Sequence, residues 1–379
     1  MKIASVISEF NPFHNGHKHL VDTIKKEHAD CVVAIMSGNF VQRGDVAITD
    51  KYNRAKSALQ NGCDLVVELP TAFALSSAQN FALGGVEIAK ALNSNMLCFG
   101  AENDDTTMLT EIADVFYDDN FKDKIKEYIS SGEYYAKAVS KAVSVVLSQE
   151  HSDILSKPNN TLAVEYIRAL KGSAISPVAI KRIGAEHDSS ITTETISSAT
   201  NIRNLVLESK TYDNFTDMVI DNPAYIKNVE TAILYKLRTM SEDDFLNISD
   251  ISEGFENRIY DACRNSISLE ELYENLKTKR YTLARIRRIV MNAFLEIDKT
   301  LIKKENLYIR VLGMNEKGAQ IIKSTSLPLV IKVKQDYEKL SNNQKALFDI
   351  DVKASEIFPL ALNKKEFSKN DFSAQIIKT

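Results

Sequence analysis

Short apolar runs alternate with helical patterns along the first hundred residues, and this alternation constrains the fold more than any other feature. The apolar runs lie at 3–7, 31–36, 64–69 and 96–99. Continuous apolar runs of this length are typical of parallel strands that helices cover on both faces. The pattern therefore predicts an α/β fold with a doubly wound, Rossmann-like parallel sheet. Ligands of such sheets bind outside the carboxyl ends of the strands, so the loops after these runs should hold functional residues.

The remaining pattern divides the chain further. A chain of 379 residues is expected to form two or three domains. The α/β pattern extends over residues 1–207, with a charged helical insertion at 104–150, and a mainly α-helical region follows at 208–304. Strand-like segments at 308–313 and 327–333 predict a small C-terminal α/β module over residues 305–379.

The composition is that of a globular protein, with 44% apolar and 26% charged residues. The net charge of −4 gives the surface no general attraction for nucleic acid, so we expect no DNA partner. The four cysteines lie far apart without a CxxC pair, which favours buried reduced thiols over a metal site. No segment reaches the roughly 18 apolar residues of a membrane span, and the N-terminus does not resemble a secretion signal. We therefore expect a cytoplasmic protein with no membrane partner.

The segment after the first apolar run is the strongest candidate for chemistry. Residues 8–17 read SEFNPFHNGH, in which Pro12 favours a turn and a helix begins near His14. The three-residue spacing places the imidazoles of His14 and His17 on one face of the first helical turn. There they would join the free N–H groups of the helix start and stabilise charge on the α-phosphate of a nucleotide. Gly16 would let the backbone approach that nucleotide. Two surface histidines in a helix cap are the alternative.

A second candidate for phosphate binding lies at residues 198–203, which read SATNIR. Ser198 or Thr200 can cap a helix whose N–H groups hold phosphates, and Arg203 can reach the β- or γ-phosphate. A helix start rich in Ser and Thr is common, so this segment is weak evidence alone. Together with the two histidines it predicts an ATP-binding enzyme that transfers nucleotidyl groups.

Residues 275–310 carry ten Lys or Arg against three acidic residues, a local excess in a chain of negative net charge. Arg285 and Arg288 fall on one helical face with Tyr281 one turn earlier, which suits RNA phosphates and a stacked base. A solvated helix face is the alternative. The candidate RNA-binding residues are Lys279, Arg280, Tyr281, Arg285 and Arg288.

The pairing of FNPxHxGH with SxTxIR resembles the HIGH superfamily of nucleotidyltransferases, which share the doubly wound fold with class I aminoacyl-tRNA synthetases. Three positions in two segments depart from the usual pattern: Ser8 and Asn11, since residues 8–12 read SEFNP instead of GxFDP, and Ala199, which replaces Ser or Gly. Further segments follow in an order similar to the bacterial tRNA(Met) cytidine acetate ligases, over nearly the whole chain. These segments are SGNFVQRGD, DLVVELP, FGAEN, KPNNTLAVEYIRAL and KRYTLARIRR.

That resemblance implies a ligase that activates acetate with ATP, giving acetyl-adenylate and pyrophosphate. The acetyl group would then pass to the exocyclic amine of the wobble cytidine of elongator tRNA(Met). His14 and His17 would be the catalytic residues, and Mg²⁺ is expected with the triphosphate. An adenylyltransferase acting on a phosphorylated small metabolite is the first alternative, because it would use the first two hundred residues alone. A non-catalytic RNA-binding protein is the second.

The resemblance further implies an ATP site made of residues 7–20, Gly100, Asn160 and the pair Arg182-Ile183. Asn160 could instead be a helix N-cap, and Gly100 an ordinary strand-end turn. Arg43 and Lys51 could contact pyrophosphate or substrate, or be solvated surface charges. With the second motif, the expected ATP-binding residues are Ile7, Ser8, Glu9, Phe10, Asn11, Pro12, Phe13, His14, Asn15, Gly16, His17, Lys18, His19, Leu20, Gly100, Asn160, Arg182, Ile183, Ser198, Thr200 and Arg203.

Overall fold

The structure is a computed structural model, and it describes residues 1–183, 195–252, 254–368 and 371–379. The strands form where the apolar runs predicted them, and further strands of two to six residues lie between and after these. They are β1 (Ile3–Ser8), β2 (Cys31–Ser37), β3 (Phe40–Val41), β4 (Asp45–Val46), β5 (Leu65–Leu69), β6 (Met96–Ala101), β7 (Ser176–Lys181), β8 (Ile309–Met314), β9 (Leu329–Val330) and β10 (Ile377–Lys378).

Helices separate the strands of the first part and make up most of the rest of the described chain. Those that alternate with the strands, including the predicted insertion, are α1 (Asn15–Glu27), α2 (Lys51–Gln60), α3 (Thr71–Ala74), α4 (Ala78–Ala91), α5 (Thr106–Val115), α6 (Asp119–Ser130), α7 (Tyr135–Val146), α8 (Gln149–Ile154), α9 (Pro158–Leu170) and α10 (Ala199–Leu207). The later ones are α11 (Glu230–Thr239), α12 (Glu242–Leu246), α13 (Phe255–Arg264), α14 (Leu269–Leu276), α15 (Leu283–Leu295), α16 (Glu316–Ile321), α17 (Val333–Asp336) and α18 (Asn342–Ile357).

The main sheet has a parallel centre in the order β5-β2-β1-β6-β7. β1 pairs with β2 on one side and β6 on the other, and both pairings are parallel. Successive residues of β2 enter two different apolar clusters: Val33 packs in one and Val32 in the other. Because side chains alternate across a strand, helices cover both faces of the sheet. The predicted doubly wound α/β fold is confirmed.

The C-terminal residues extend this sheet. β8 pairs antiparallel with β5, and β9 and β10 then pair with β8. Strands from the predicted C-terminal module, residues 305–379, are therefore hydrogen-bonded to the sheet of the N-terminal part. The predicted strand at 327–333 is only partly right, since helix α17 begins at Val333. The division of the chain near residues 207 and 304 stays a prediction.

A short hairpin, β3 and β4 with their turn (residues 40–46, called here the hairpin), joins two distant parts of the chain. Its turn residue Gly44 has φ +71°, in the left-handed region that favours glycine. A Cβ on Gly44 would lie 2.4 Å from the carbonyl carbon of Arg287 and 2.5 Å from the amide nitrogen of Arg288. The tip of the hairpin is therefore pressed against the backbone of α15, and a glycine is required there.

All four cysteines are buried and unpaired, as the wide spacing predicted. In the described part of the chain, none of the helices is long and apolar enough to cross a membrane.

Candidate active site

The two histidines of the first motif lie at the start of α1, directly after the carboxyl end of β1. His14 is the N-cap residue, and its Nδ1 accepts a hydrogen bond from the Gly16 amide at 3.1 Å. The Nδ1 of His17 accepts one from the His14 amide at 3.2 Å. The two rings stack with centroids 3.8 Å apart and an interplanar angle of 28°. A reciprocal capping box therefore orients both imidazoles.

These hydrogen bonds determine the protonation state of both rings. Because each Nδ1 accepts a bond, the neutral ring carries its proton on Nε2. Burial, with the charges of Arg182 and Arg203, lowers the pKa of His14 to about 3. Burial, His14 and Arg182 likewise hold the pKa of His17 well below its usual range. Both imidazoles are therefore neutral at physiological pH, and each can donate one Nε2–H bond to a phosphate oxygen.

Gly16 and two phenylalanines set the position of the rings. A Cβ on Gly16 would lie 2.9 Å from Cε1 of His14, so a larger residue would displace that ring. The ring of Phe10 meets His17 edge-on at 4.9 Å, and Phe13 lies 5.5 Å from His17. The imidazoles are thus held by packing as well as by the capping bonds.

Hydrogen bonds also join the histidine motif to residues about 180 to 200 positions further along the chain. Asn15 Nδ2 donates to the carbonyl oxygens of Thr195 and Asn214, at 2.8 and 3.0 Å. Thr216 Oγ1 donates to the carbonyl oxygen of Phe13 at 2.6 Å. Asn15 and Phe13 therefore stabilise the loop instead of facing a ligand.

The second motif meets the first. Ser198 caps α10 by accepting a hydrogen bond from the Asn201 amide. Arg203 donates from Nη1 to the carbonyl oxygen of Asn11, 192 residues away, at 2.8 Å. Its Nη2 donates to Thr200 Oγ1 at 3.1 Å, and Arg43 Nη1 reaches the same hydroxyl at 3.3 Å. The two candidate phosphate-binding segments therefore form one site.

A pocket lies between these segments at the carboxyl edge of the sheet. Most of the predicted ATP-binding residues line it, whereas Pro12, Phe13, Asn15, Lys18 and Asn160 do not. The predicted residues in its wall are Ile7, Ser8, Glu9, Phe10, Asn11, His14, Gly16, His17, His19, Leu20, Gly100, Arg182, Ile183, Ser198, Thr200 and Arg203.

Several wall residues were not predicted to bind ATP, chiefly because their apolar character is equally typical of the core. Among them, Arg43 alone is a residue that the sequence made a candidate for contact with pyrophosphate or substrate. They are Gln42, Arg43, Phe81, Cys98, Phe99, Asn159, Leu162, Tyr166, Ile180, Lys181, Ile196, Ser197 and Ala199.

Asn160 supports the pocket from behind. Its Oδ1 accepts from the amides of Glu102 and Asn103 at 2.9 and 3.0 Å, and its Nδ2 donates to the carbonyl oxygen of Ile154 at 3.0 Å. The side chain is buried. The N-cap of α9 is Lys157, so Asn160 does not cap its own helix. It shapes the loop after β6 instead.

Gly100 and Arg182 are neighbours on adjacent strand ends. A Cβ on Gly100 would lie 3.3 Å from Cγ of Arg182, which is a tight contact. Burial lowers the pKa of the Arg182 guanidinium, and the carboxylate of Glu102 opposes that shift. The small residue thus makes room for the arginine stem at the pocket wall.

The pocket is strongly cationic. Arg43, Lys181, Arg182 and Arg203 line it, and Glu9 is the single carboxylate among its described wall residues. Such a wall suits a polyanion such as a triphosphate. In the described ranges, no three His, Cys, Asp or Glu side chains converge in a way that could hold a metal ion.

Lys51 has a structural role. Its ammonium is buried and bonds the carboxylates of Glu68 and Asp371, so it does not reach the pocket. The hypothesis that Lys51 contacts pyrophosphate or substrate is therefore wrong.

The predicted RNA-binding residues separate into two groups. Lys279 and Arg280 are exposed. Tyr281 is buried: its ring stacks on Phe255 at 3.7 Å, and the Arg285 guanidinium covers it at 4.1 Å. Neither face of the Tyr281 ring is left for a nucleobase.

Arg285 and Arg288 both hold the loop that contains Asp250. Arg285 donates to the carbonyl oxygen of Asp250 at 3.1 and 2.7 Å, and Arg288 forms an ion pair with its carboxylate at 3.0 Å. These contacts with Asp250 occupy both guanidinium groups, which are then less available to RNA phosphates.

The fold and the site together define a class of protein. A parallel doubly wound sheet, with a paired-histidine helix start and a distant arginine helix at its carboxyl edge, is the arrangement of a nucleotidyl transferase. The family model for HIGH nucleotidyl transferases matches residues 1–373.

Similar proteins narrow the class. tRNA(Met) cytidine acetate ligases from Thermoanaerobacter sp. (strain X514) and Caldanaerobacter subterraneus are 38% and 39% identical to the chain, each over the full length of both proteins. Crystal structures of Thermotoga maritima TmcAL, apo and bound with alpha-thio ATP, match with TM-scores of 0.92 and 0.90. They are 33% and 32% identical, cover 100% of this chain, and are themselves covered over 99% and 100% of their length. The chain belongs to the tRNA(Met) cytidine acetate ligase family.

Proposed function

We propose that this protein is an ATP-dependent acetate ligase that modifies tRNA. It joins acetate to ATP, releases pyrophosphate and forms acetyl-adenylate. It then transfers the acetyl group to N4 of the wobble cytidine of elongator tRNA(Met), giving N4-acetylcytidine and AMP. The full-length similarity to tRNA(Met) cytidine acetate ligases supports the choice of acid and tRNA.

The observation that carries the proposal is the pair of neutral, oriented imidazoles in a cationic pocket. The acetate carboxylate attacks the α-phosphate in line, so the protein needs to position the reactants and neutralise charge. His14 and His17 would donate their Nε2–H groups to the α-phosphate oxygens. Arg203, fixed by Asn11 and Thr200, would hold the β- and γ-phosphates of the leaving pyrophosphate.

Mg²⁺ is expected to accompany the triphosphate. The chain offers one carboxylate from the described pocket wall, that of Glu9. Mg²⁺ in nucleotide sites is commonly held by one or two carboxylates, phosphate oxygens and water, so this single donor fits. The ion would neutralise phosphate charge.

The tRNA is expected to bind along the helical part of the chain. Lys279 and Arg280 support this because they are exposed cations on the segment that leads into α15. The target cytidine would have to leave its stack to bring N4 to the acetyl-adenylate.

One assay tests the proposal. Pyrophosphate release from ATP is measured with and without acetate, and tRNA(Met) is then analysed by mass spectrometry. We expect acetate-dependent release and a single added acetyl group on the wobble cytidine. Acetate-independent transfer of AMP to a phosphorylated metabolite would instead indicate an adenylyltransferase, and the absence of any turnover would contradict both.

A further inference from the structure

The arginine between the two that hold Asp250 has a different environment. Arg287 is half-buried, and its guanidinium lies 5.5 Å from the centre of the Tyr273 ring. In the residues the structure describes, none accepts a hydrogen bond from that guanidinium. A cation that is partly desolvated and has its N–H donors unused is suited to an anionic ligand.

Arg287 lies beside the pocket, although the two are far apart in sequence. Gly44, at the tip of the hairpin, is packed against the backbone of Arg287, and Arg43, the residue before it, lines the pocket. The next residue, Asp45, lies within the electrostatic reach of both Arg203 and Arg287. The turn of the hairpin therefore lies between Arg287 and the pocket in which the triphosphate is proposed to bind.

The hairpin is held at its turn and at its base. In the turn, the Gln42 amide donates to Glu9 Oε1 at 2.8 Å. At the base, the Ala47 amide donates to the carbonyl oxygen of Asn39 at 2.9 Å. Because base and tip are both fixed, the position of Arg287 relative to the pocket mouth is fixed too.

We propose that Arg287 binds a backbone phosphate of the substrate RNA at the mouth of the pocket, next to the nucleotide that receives the acetyl group. This inference rests on the proposed function, since it assumes that an RNA base enters the pocket. A nucleotide that turns into a pocket leaves its flanking phosphates at the entrance, where an arginine can bind them. Arg287 supplies one at that place, whereas Arg285 and Arg288 are engaged by Asp250.

The test compares Arg287→Ala with the unmodified protein in two measurements. The first is acetate-dependent pyrophosphate release without tRNA, which should not change because Arg287 does not line the pocket. The second is tRNA(Met) binding as a function of salt. Loss of one phosphate contact should reduce the log–log salt slope by about 0.7 to 1, which corresponds to roughly tenfold weaker binding at 0.1 M salt. Acetyl transfer at subsaturating tRNA should fall by a similar factor.

Two further variants are matched controls. Arg287→Lys keeps the charge and should retain most of the salt slope. Arg258→Ala removes an exposed guanidinium from the helical part that already donates to the carbonyl oxygen of Asn275, and it should leave the slope unchanged.

The outcomes separate the two proposals. An unchanged salt slope in Arg287→Ala would overturn the inference. A fall in tRNA-independent pyrophosphate release as large as the fall in tRNA binding would overturn it too, because it would indicate that Arg287 supports the pocket itself. A lowered melting temperature in Arg287→Ala that is restored in Arg287→Lys, with no change in slope, would assign it a structural role and overturn the inference as well. If the unmodified protein shows no acetate-dependent turnover, the proposed function fails, while the binding measurement still reports on Arg287.

Discussion

Lys51→Met is expected to be strongly destabilising, because Lys51 is the cation of a buried ion network. Its Nζ bonds both carboxylate oxygens of Glu68, at 3.0 and 2.8 Å, and Asp371 Oδ2 at 2.8 Å. The three side chains are at most 2% exposed. The network joins α2 to β5 and to the C-terminal segment, so its loss would loosen the edge where β8 meets β5.

The size of the effect follows from burial. Methionine matches the length of lysine but leaves the Glu68 and Asp371 carboxylates without their main cation, and Arg310 Nη2 lies 3.8 Å from Asp371. Breaking a buried pair on one side costs about 3–5 kcal/mol. We therefore expect the free energy of unfolding at pH 7 to fall by about that amount.

The cost should depend on pH with a definite sign. Burial raises the pKa of Glu68 to about 7, against the opposing pull of Lys51, and removing Lys51 would raise it further. A carboxyl whose pKa is raised in the folded state binds its proton more tightly there than in the unfolded state. Its contribution to stability is therefore full below its unfolded pKa and is lost as the pH rises through its folded pKa. The destabilisation by Lys51→Met should therefore be smaller at pH 5.5 than at pH 8.

Urea unfolding followed by far-UV circular dichroism measures the effect, because the chain has no tryptophan for fluorescence. Lys124→Met is the matched control: its ion pair with Glu127 on α6 leaves the two side chains 35% and 63% exposed, so its loss should barely shift the unfolding midpoint. Lys51→Met with Glu68→Gln should be less destabilising than the sum of the single changes. If Lys51→Met shifts the unfolding midpoint no more than Lys124→Met, the reasoning from burial is wrong.

Three further predictions concern the pocket. Gly16→Ala should displace the His14 ring and lower the rate of acetate-dependent pyrophosphate release by about 10²-fold. A loss of that size is expected when one hydrogen-bond donor to the transition state is misplaced, and an unchanged rate would contradict the role given to that ring. The rate of acetate-dependent pyrophosphate release should show no break near pH 6.5, because the pKa of His14 is lowered to about 3 in the folded protein. The free energy of unfolding should nevertheless fall as the pH drops below about 6.5. In that range unfolded His14 takes up a proton and folded His14 does not. Asn160→Ala leaves the Glu102 and Asn103 amides without an acceptor and should cost about 1–3 kcal/mol, with a higher KM for ATP measured in initial-rate assays.

Local sequence patterns predicted the centre of the fold well. Apolar runs of four to six residues determined the parallel strands, because each run must be buried on both faces of one sheet. They could not reveal that β8 pairs antiparallel with β5, since that pairing joins segments about 240 residues apart and depends on which edge of the sheet is open.

The site shows the same division between local and distant information. The capping role of Ser198 follows from short spacing and was predicted, whereas the N-cap position of His14 was only the alternative to a ligand-binding role. The engagement of Arg285 and Arg288 by Asp250 could not be predicted, because helical periodicity shows which side chains share a face but not which loop packs against that face. Tyr281 was misjudged for the same reason: its stacking partner Phe255 comes from another helix.

Arg54 joins the loop that follows β1 to the segment that contains the hairpin. It is fully buried on α2, and it donates to the carbonyl oxygens of Glu9 at 2.6 Å, Ser37 at 3.0 Å and Thr49 at 3.2 Å. These carbonyls belong to the loop after β1 and to both ends of the segment that contains the hairpin. Because one guanidinium holds all three carbonyls, the loop that carries the paired histidines and the hairpin whose Gly44 contacts α15 keep fixed positions relative to each other. An RNA bound along α15 would therefore present its target nucleotide to the pocket in a defined register.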